Sequence, residues 1–480
     1  MTGYIFAAVL LLSPPLQAVF DLPLQLAFQQ AVLLACLASL LLGLRRGELP
    51  PGFGARRLYP LWAAAALSFA ALLASPLRGL IFNEWGNYAA GLLIFLFSSA
   101  FNKEERARAD AAFLASAWAI FGLALLQAFA LRNFAARPPL TNLNALALYA
   151  VMLVPPALER RRWFLAGAMV VLVIWTQSVG AALAGLTAAG AYAASRFRKA
   201  ELRENALPLA ALALVAAGAL YLLQADSMAG RLAWWRGAWS MFLARPLAGF
   251  GHAGYTWAQA AFQPAGAFRE HSVYAHDYYL EFLAENGLPA ALAWFWLLFS
   301  AVRRRSGLAK FSLIAALAHS LVDFGLSVPA NFWLFCYLLA EPAGGEPPAR
   351  APAALFRPAL LLAALLEAAL LSLSWRSLAF ERAQRRALAA FAAGDPALAE
   401  EVLRPALASP LLRGPALEFL GRLNLTGRDA GFRAAVYFEE ALLRDRYSAA
   451  AWSALRRVYS VPGRQEQAAG LERRRREVFR

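Results

Sequence analysis

Apolar stretches of about 20 residues recur along most of this chain, and each is long enough to cross a hydrocarbon core of about 30 Å. That recurrence leaves little choice of fold: a chain built this way is an all-α polytopic membrane protein. Composition agrees, with 60% apolar and only 16% charged residues, where a soluble domain holds about a quarter charged. The runs predict about thirteen transmembrane helices, near 3–20, 24–44, 59–77, 87–101, 110–131, 144–158, 163–177, 179–195, 206–224, 287–302, 308–324, 329–341 and 357–375. Met1 to Tyr4 carries no Lys or Arg and no small-x-small cleavage site follows, so the first run is read as a span rather than a signal peptide.

The formal net charge of +16 raises nucleic acid as a partner, but the basic residues cluster in short loops between apolar runs. With the N-terminus in the cytoplasm, the inner loops carry twenty Lys and Arg, among them Arg45, Arg46, Arg160, Arg161, Arg162, Arg303, Arg304 and Arg305, against three in the short outer loops, Arg78, Arg132 and Arg137. Such asymmetry sets orientation in a bilayer, so no nucleic acid is needed to explain the charge. The same arithmetic puts the segment 225–286 and the C-terminal tail outside, which is the periplasmic face if the membrane is a bacterial inner membrane. Cys36 and Cys336 lie within apolar runs and read as small hydrophobes, not as a disulfide or metal site.

Two domains are expected: 1–375 in the membrane with an extracytoplasmic loop near 225–286, and a periplasmic helical domain over 376–480. The tail is rich in Ala and Leu at a helical period, with breaks at Gly394, Gly427 and Gly463. A spacing of about 34 residues, with residues 390–410 echoed by 425–455, resembles tetratricopeptide helix pairs. An ordinary Ala-rich helical bundle is the alternative. A repeat groove binds a protein partner rather than doing chemistry.

The polar island at 225–286 is where charge and titratable groups meet water. It holds His252, His271 and His276, three of the four histidines, with Arg231, Arg236, Arg245 and Arg269. Gly249 to Gly254 formally match G-x-G-x-x-G, but no strand precedes them and no βαβ unit follows, so these glycines read as a tight turn. Arg231 lies among Trp234, Trp235 and Trp239. Guanidinium forks capture phosphate oxygens, and an interfacial aromatic belt does not need an arginine at its aqueous end. Arg236 and Arg245 fit the anchoring role better. His276, in Ala275-His276-Asp277-Tyr278-Tyr279, is a residue type suited to taking a proton near neutral pH. His271 and His276 are five apart, the wrong spacing for two ligands on one helical turn, so no metal is expected. His319 and Asp323 are four apart and could share one helix face. A polar pair in a span is costly and usually buried against a partner or functional.

Taken together these pieces resemble the O-antigen ligase/polymerase family of membrane glycosyltransferases. They are Gly230-Arg231 followed by Trp234 and Trp235, then Pro246-Leu247-Ala248-Gly249-Phe250-Gly251, Ala275-His276-Asp277-Tyr278-Tyr279-Leu280 and Glu285-Asn286-Gly287-Leu288-Pro289. Upstream come Asn142-Leu143-Asn144 and Thr176-Gln177-Ser178-Val179-Gly180; downstream, His319-Ser320-Leu321-Val322-Asp323 and Pro329-Ala330-Asn331. The likeness covers about residues 1–345. Val179 departs from it, since many members have Arg there, so no anion-binding role carries over to that position.

The resemblance implies a C-type glycosyltransferase fold and a polyprenyl-pyrophosphate-linked glycan as donor. It implies an acceptor hydroxyl on a glycan, lipid A core or protein, with no metal or cofactor. His276 would be the base and Arg231 the pyrophosphate donor group; Arg236, His271, Asp277, Glu285, His319, Asp323 and Asn144 would bind substrate. Two other classes compete. A transporter or flippase of lipid-linked glycans would need ionisable groups at mid-span, and Glu367 is the one clear acid there, away from the motifs. A membrane-anchored repeat scaffold would leave twelve further spans unexplained.

Overall fold

The computed structural model describes residues 2–53, 55–130, 142–196, 225–262, 272–342, 348–426 and 430–478. The fold is all-α. The helices are α1 (Thr2–Leu12), α2 (Leu22–Arg45), α3 (Tyr59–Ala74), α4 (Arg78–Ser98), α5 (Lys103–Leu125), α6 (Leu143–Glu159), α7 (Trp163–Thr176), α8 (Val179–Arg196), α9 (Ala225–Ala244), α10 (Tyr255–Phe262), α11 (Tyr278–Arg304), α12 (Ala309–His319), α13 (Pro329–Leu339), α14 (Phe356–Ala392), α15 (Pro396–Ala408), α16 (Arg413–Leu423), α17 (Ala430–Arg444), α18 (Ala449–Tyr459) and α19 (Gln465–Val478). The strands among the described residues are a two-residue antiparallel pair, β1 (Glu48–Leu49) with β2 (Ala349–Arg350).

Among the described residues, six segments are long and apolar enough to cross a membrane: Leu22–Arg45, Arg56–Ala74, Arg78–Ser98, Lys103–Ala130, Tyr278–Arg304 and Phe356–Ala392. α1, α6, α7, α12 and α13 are apolar but shorter. The predicted span at 206–224 lies outside the described residues. The outer faces carry large apolar side chains such as Phe164, Ile174, Leu292, Phe299 and Leu361, all exposed. A belt of that kind suits hydrocarbon rather than water.

Every residue of α13 is buried, and polar networks hold both of its ends. At the C-terminal end the Tyr337 hydroxyl donates to Asp110 Oδ1 at 2.7 Å, Arg160 pairs with the same carboxylate, and the Arg106 guanidinium lies 4.1 Å above the Tyr337 ring. At the N-terminal end Asn331 donates to Ala145 O at 2.9 Å and to Gly325 O at 3.0 Å, which fixes the turn that follows α12. α5 starts ahead of the span expected from 110, on a capping box in which Glu105 N–H donates to the Asn102 side chain and Asn102 N–H to the Glu105 carboxylate; such a box satisfies two orphan donors at once.

α11 begins at Tyr278, well before the span expected at 287, and runs through a break at Gly287 (φ 74°, ψ 170°). Pro289 has no N–H to offer Glu285 O, and Leu288 N–H donates to Pro246 O instead of to Ala284 O. The two carbonyls left over accept from elsewhere: Ala284 O from Phe250 N–H and Glu285 O from Gly251 N–H. The Pro246–Gly251 turn thus replaces the missing rungs of α11. It fits only because glycines meet there with positive φ; a Cβ on Gly249 would fall 2.2 Å from Glu285 O, and one on Gly287 2.3 Å from Leu247 O. Gly287→Ala is expected to destabilise the protein by at least about 1–3 kcal/mol from the backbone angle alone, with the clash adding to it. Gly122→Ala in α5, where a Cβ meets nothing within 4 Å, should be neutral or slightly stabilising. Thermal melting in detergent compares them, and equal midpoints would contradict the interlock.

α14 continues unbroken from the predicted last span into the tail. There α14 to α19 pack each on its neighbour, around Leu403 and Leu420 in one cluster and Phe438, Trp452 and Leu455 in the next. The tail docks on the membrane body at Tyr447, whose ring meets Phe250 edge-on at 4.9 Å and stacks on Phe262 at 6.0 Å.

A candidate active site gathered around Asp323

α9 presents Arg231, Trp234 and Trp235 at i, i+3 and i+4, the spacing that puts side chains on one helix face. Arg236 is one step further round and is exposed. The structure brings two sequence-distant groups, a guanidinium and an imidazole, to one carboxylate. Asp323 Oδ2 lies 3.6 Å from Arg231 Nη2, and Asp323 Oδ1 lies 3.7 Å from His276 Nδ1. Asp323 is 1% exposed and takes a 2.8 Å hydrogen bond from Phe324 N–H. A carboxylate so far from water needs charged or hydrogen-bonding neighbours, and a guanidinium and an imidazole supply them.

His276 sits just ahead of α11 at φ 55°, a region a non-glycine residue enters at a cost. Several contacts hold it there. Its ring stacks on Trp234 at 4.8 Å and 22° and meets Phe324 edge-on at 4.8 Å. Its carbonyl accepts from Trp235 Nε1 at 3.3 Å. The next residue, Asp277, caps α11 by accepting from Tyr279 and Leu280 N–H. Tyr278 N–H donates to Ser320 O at 2.9 Å, fastening the loop to the turn that carries Asp323.

The remaining expected residues fall in different places. α12 ends at His319, so Asp323 lies in the turn beyond it rather than on a shared helical face; the turn itself brings the two together. His319 is fully buried, neither ring nitrogen has a hydrogen-bond partner among the described residues, and a Cβ on Gly180 would lie 3.5 Å from its ring. Arg236 is not gathered into the cluster, because five residues along a helix turn it away from Arg231. His271 lies outside the described residues. Asp277 serves as a cap, its carboxyl pushed up by burial and held back in part by the Leu280 and Tyr279 N–H groups. Asn144 has its N–H bonded to the Asn142 side chain, one turn before Leu148, which packs on Gly325. Arg245, read as an anchor, clamps Gly249 O at 2.7 Å and Ala74 O at 2.9 Å.

Glu285 braces the glycine turn. Its Oε1 accepts from Tyr255 N–H at 3.1 Å and its Oε2 lies 3.7 Å from His252 Nδ1. Glu281 accepts from Ala275 N–H at 2.6 Å and Ser327 Oγ at 2.8 Å. Glu281 and the place of His252 were not foreseen. The signal available was two carboxylates one helical turn apart in an aromatic stretch. Among the described residues no group of three His, Cys, Asp or Glu could hold a metal ion.

Burial pushes His252 down to about 4, against about 6.5 for an ordinary histidine. The unfolded chain takes up this proton as pH falls through about 6.5, and the folded one waits until about 4. Stability from this group is therefore present above 6.5 and lost on the way down, by about 3 kcal/mol in all. Unfolding of the protein in nanodiscs between pH 7.5 and 5 should be less pH-dependent for His252→Asn; an equal slope would contradict this.

Residues 164–295, about a quarter of the chain, match the family model of O-antigen ligase. The match supports the O-antigen ligase/polymerase family and, in general terms, a membrane glycosyltransferase activity with a lipid-linked glycan as substrate. Arg231, His276 and Glu285 fall within the matched stretch; Asn144, His319 and Asp323 fall outside it. No curated protein matches the chain.

Proposed function

We propose that this protein is an inverting, metal-independent glycosyltransferase. In this reading it moves an oligo- or polysaccharide from a polyprenyl-pyrophosphate donor to an acceptor hydroxyl on a glycan, lipid A core or protein. The observation that carries the reading is Asp323 set between Arg231 and His276 at 3.6 and 3.7 Å. With Nδ1 turned to Asp323, His276 has Nε2 left for the acceptor. The acceptor O–H gives its proton to Nε2 as its oxygen bonds the anomeric carbon. The bond from that carbon to the pyrophosphate oxygen breaks in the same step, and the leaving group carries the electron pair away. Arg231 stands where that negative charge develops, and a fixed donor acts most strongly there. Asp323 orients the imidazole and steadies the imidazolium, as a buried carboxylate does beside a histidine base. Displacement in one step inverts the anomeric centre.

Orientation belongs to the same proposal: a cytoplasmic N-terminus, the site and tail on the periplasmic side of a bacterial inner membrane, and a tetratricopeptide-like tail that engages a protein partner. Nearest-neighbour packing of the tail helices supports the repeat reading. The test is the anomeric configuration of the product, read by NMR of glycan transferred from an undecaprenyl-pyrophosphate-linked oligosaccharide of known linkage. Inversion is expected; retention would require a covalent glycosyl-enzyme and would overturn the mechanism.

A further inference from the structure

Beside the Asp323 cluster, a cavity of about 270 Å³ opens between α4, α11, the segment 252–257 that leads into α10 and the loop at 272–274. Its size is just under the range for small-molecule sites, about 300–1,000 Å³, room for a sugar unit rather than a chain. Its walls combine two chemistries. Tyr88, Trp257, Tyr274 and Phe282 offer aromatic faces, while Glu84, Glu281 and Glu285 offer carboxyl groups. No Arg or Lys lines it among the described residues. Buried polar atoms in the wall also lack a hydrogen-bond partner among those residues: Gln25 Oε1, Tyr88 Oη and Tyr278 Oη, with Tyr88 1% and Tyr278 3% exposed. Buried polar groups are nearly always paired, and sugar hydroxyls are a chemistry that would pair these.

The combination suits a pyranose, whose C–H face packs on rings while its hydroxyls bond carboxylates and amides. The lining holds three carboxyl groups and, among the described residues, neither the guanidinium nor the ammonium that captures phosphate oxygens, so the pyrophosphate is left to Arg231. The cavity also adjoins the cluster. Tyr274 lines it and stacks on Phe324 at 4.3 Å and 7°, Phe324 meets the His276 ring, and Glu281 holds Ala275 N–H next to His276. We infer that this cavity is a subsite for one uncharged sugar unit of the glycan, next to the bond that reacts. This inference rests on the glycosyl-transfer reading.

The test uses the full-length protein in nanodiscs and saturation-transfer-difference NMR. The probes are a panel of methyl glycosides of neutral hexoses and of the matching uronic acids. Neutral glycosides are expected to bind and uronic acids not. Trp257→Ala, at the half-exposed mouth, and Glu84→Gln should each weaken neutral binding by at least about fivefold, the loss of one contact of about 1 kcal/mol. Equal binding of neutral and acidic probes, no binding by any, or unchanged binding in both variants overturns the subsite. Release of polyprenyl pyrophosphate from a lipid-linked glycan is followed on the same samples. Release without sugar selectivity sinks the subsite alone, and selectivity without release sinks the glycosyl-transfer reading alone.

Discussion

His276→Ala is expected to slow glycan transfer by about 10²–10⁴-fold at neutral pH, the usual contribution of a positioned general base. The fold should survive, because the loop is fastened by bonds that do not involve the imidazole: the Asp277 cap, the Ala275 N–H to Glu281 bond and the Tyr278 N–H to Ser320 bond. The loss should fall on kcat rather than on donor affinity, since His276 gains its role only as the acceptor proton moves. Rates of release of polyprenyl pyrophosphate, measured beside the melting temperature, check this. A folded variant with wild-type turnover would remove His276 from the mechanism.

Arg231 should be nearly as costly. Removing one donor aimed at developing charge typically lowers kcat by about 10²–10³-fold. Arg231→Lys should recover little of this, because an ammonium is a point charge and cannot fork across two phosphate oxygens. Arg231→Ala carries a complication, since Asp323 is buried and would lose a charged partner. Breaking one side of a buried ion pair costs about 3–5 kcal/mol, whereas removing both charges is often close to neutral. The double variant Arg231→Met, Asp323→Asn separates the two effects: it should melt nearer to wild type than Arg231→Ala and remain inactive. Recovery of activity with recovery of stability would mean that Arg231 serves the fold alone.

Much of this molecule is legible in its sequence because the bilayer writes a strong signal. The long apolar runs became helices, although α5 begins at Lys103, ahead of the run expected from 110, where Asn102 and Glu105 form a capping box. The count of spans was less accessible. α12 and α13 have 11 residues each and rise only about 16 Å, half of a hydrocarbon core of about 30 Å. Apolar composition does not distinguish such half-length helices from full spans. In the site, Arg231 and His276 stood out as charges in a polar island. Their convergence on Asp323 did not, because that contact depends on the turn after α12 and on Asn331 holding it. Arg236 shows the converse: it is close to Arg231 in sequence, and helix geometry turns it away from the cluster. The interlock of Pro246–Gly251 with Gly287 was visible only as an unusual density of glycine and proline, a pattern that marks a break without naming its partner.

The most direct measurement is donor cleavage in proteoliposomes. The full-length protein is supplied with undecaprenyl-pyrophosphate-linked oligosaccharide and an acceptor glycan, with chelator present, and both lipid pyrophosphate release and lipid translocation are followed. The account predicts release of lipid pyrophosphate matched by glycan transfer, unaffected by chelator and slowed about 10²–10⁴-fold in His276→Ala. Movement of the intact lipid-linked glycan across the bilayer, with no cleavage of the anomeric bond, would contradict it.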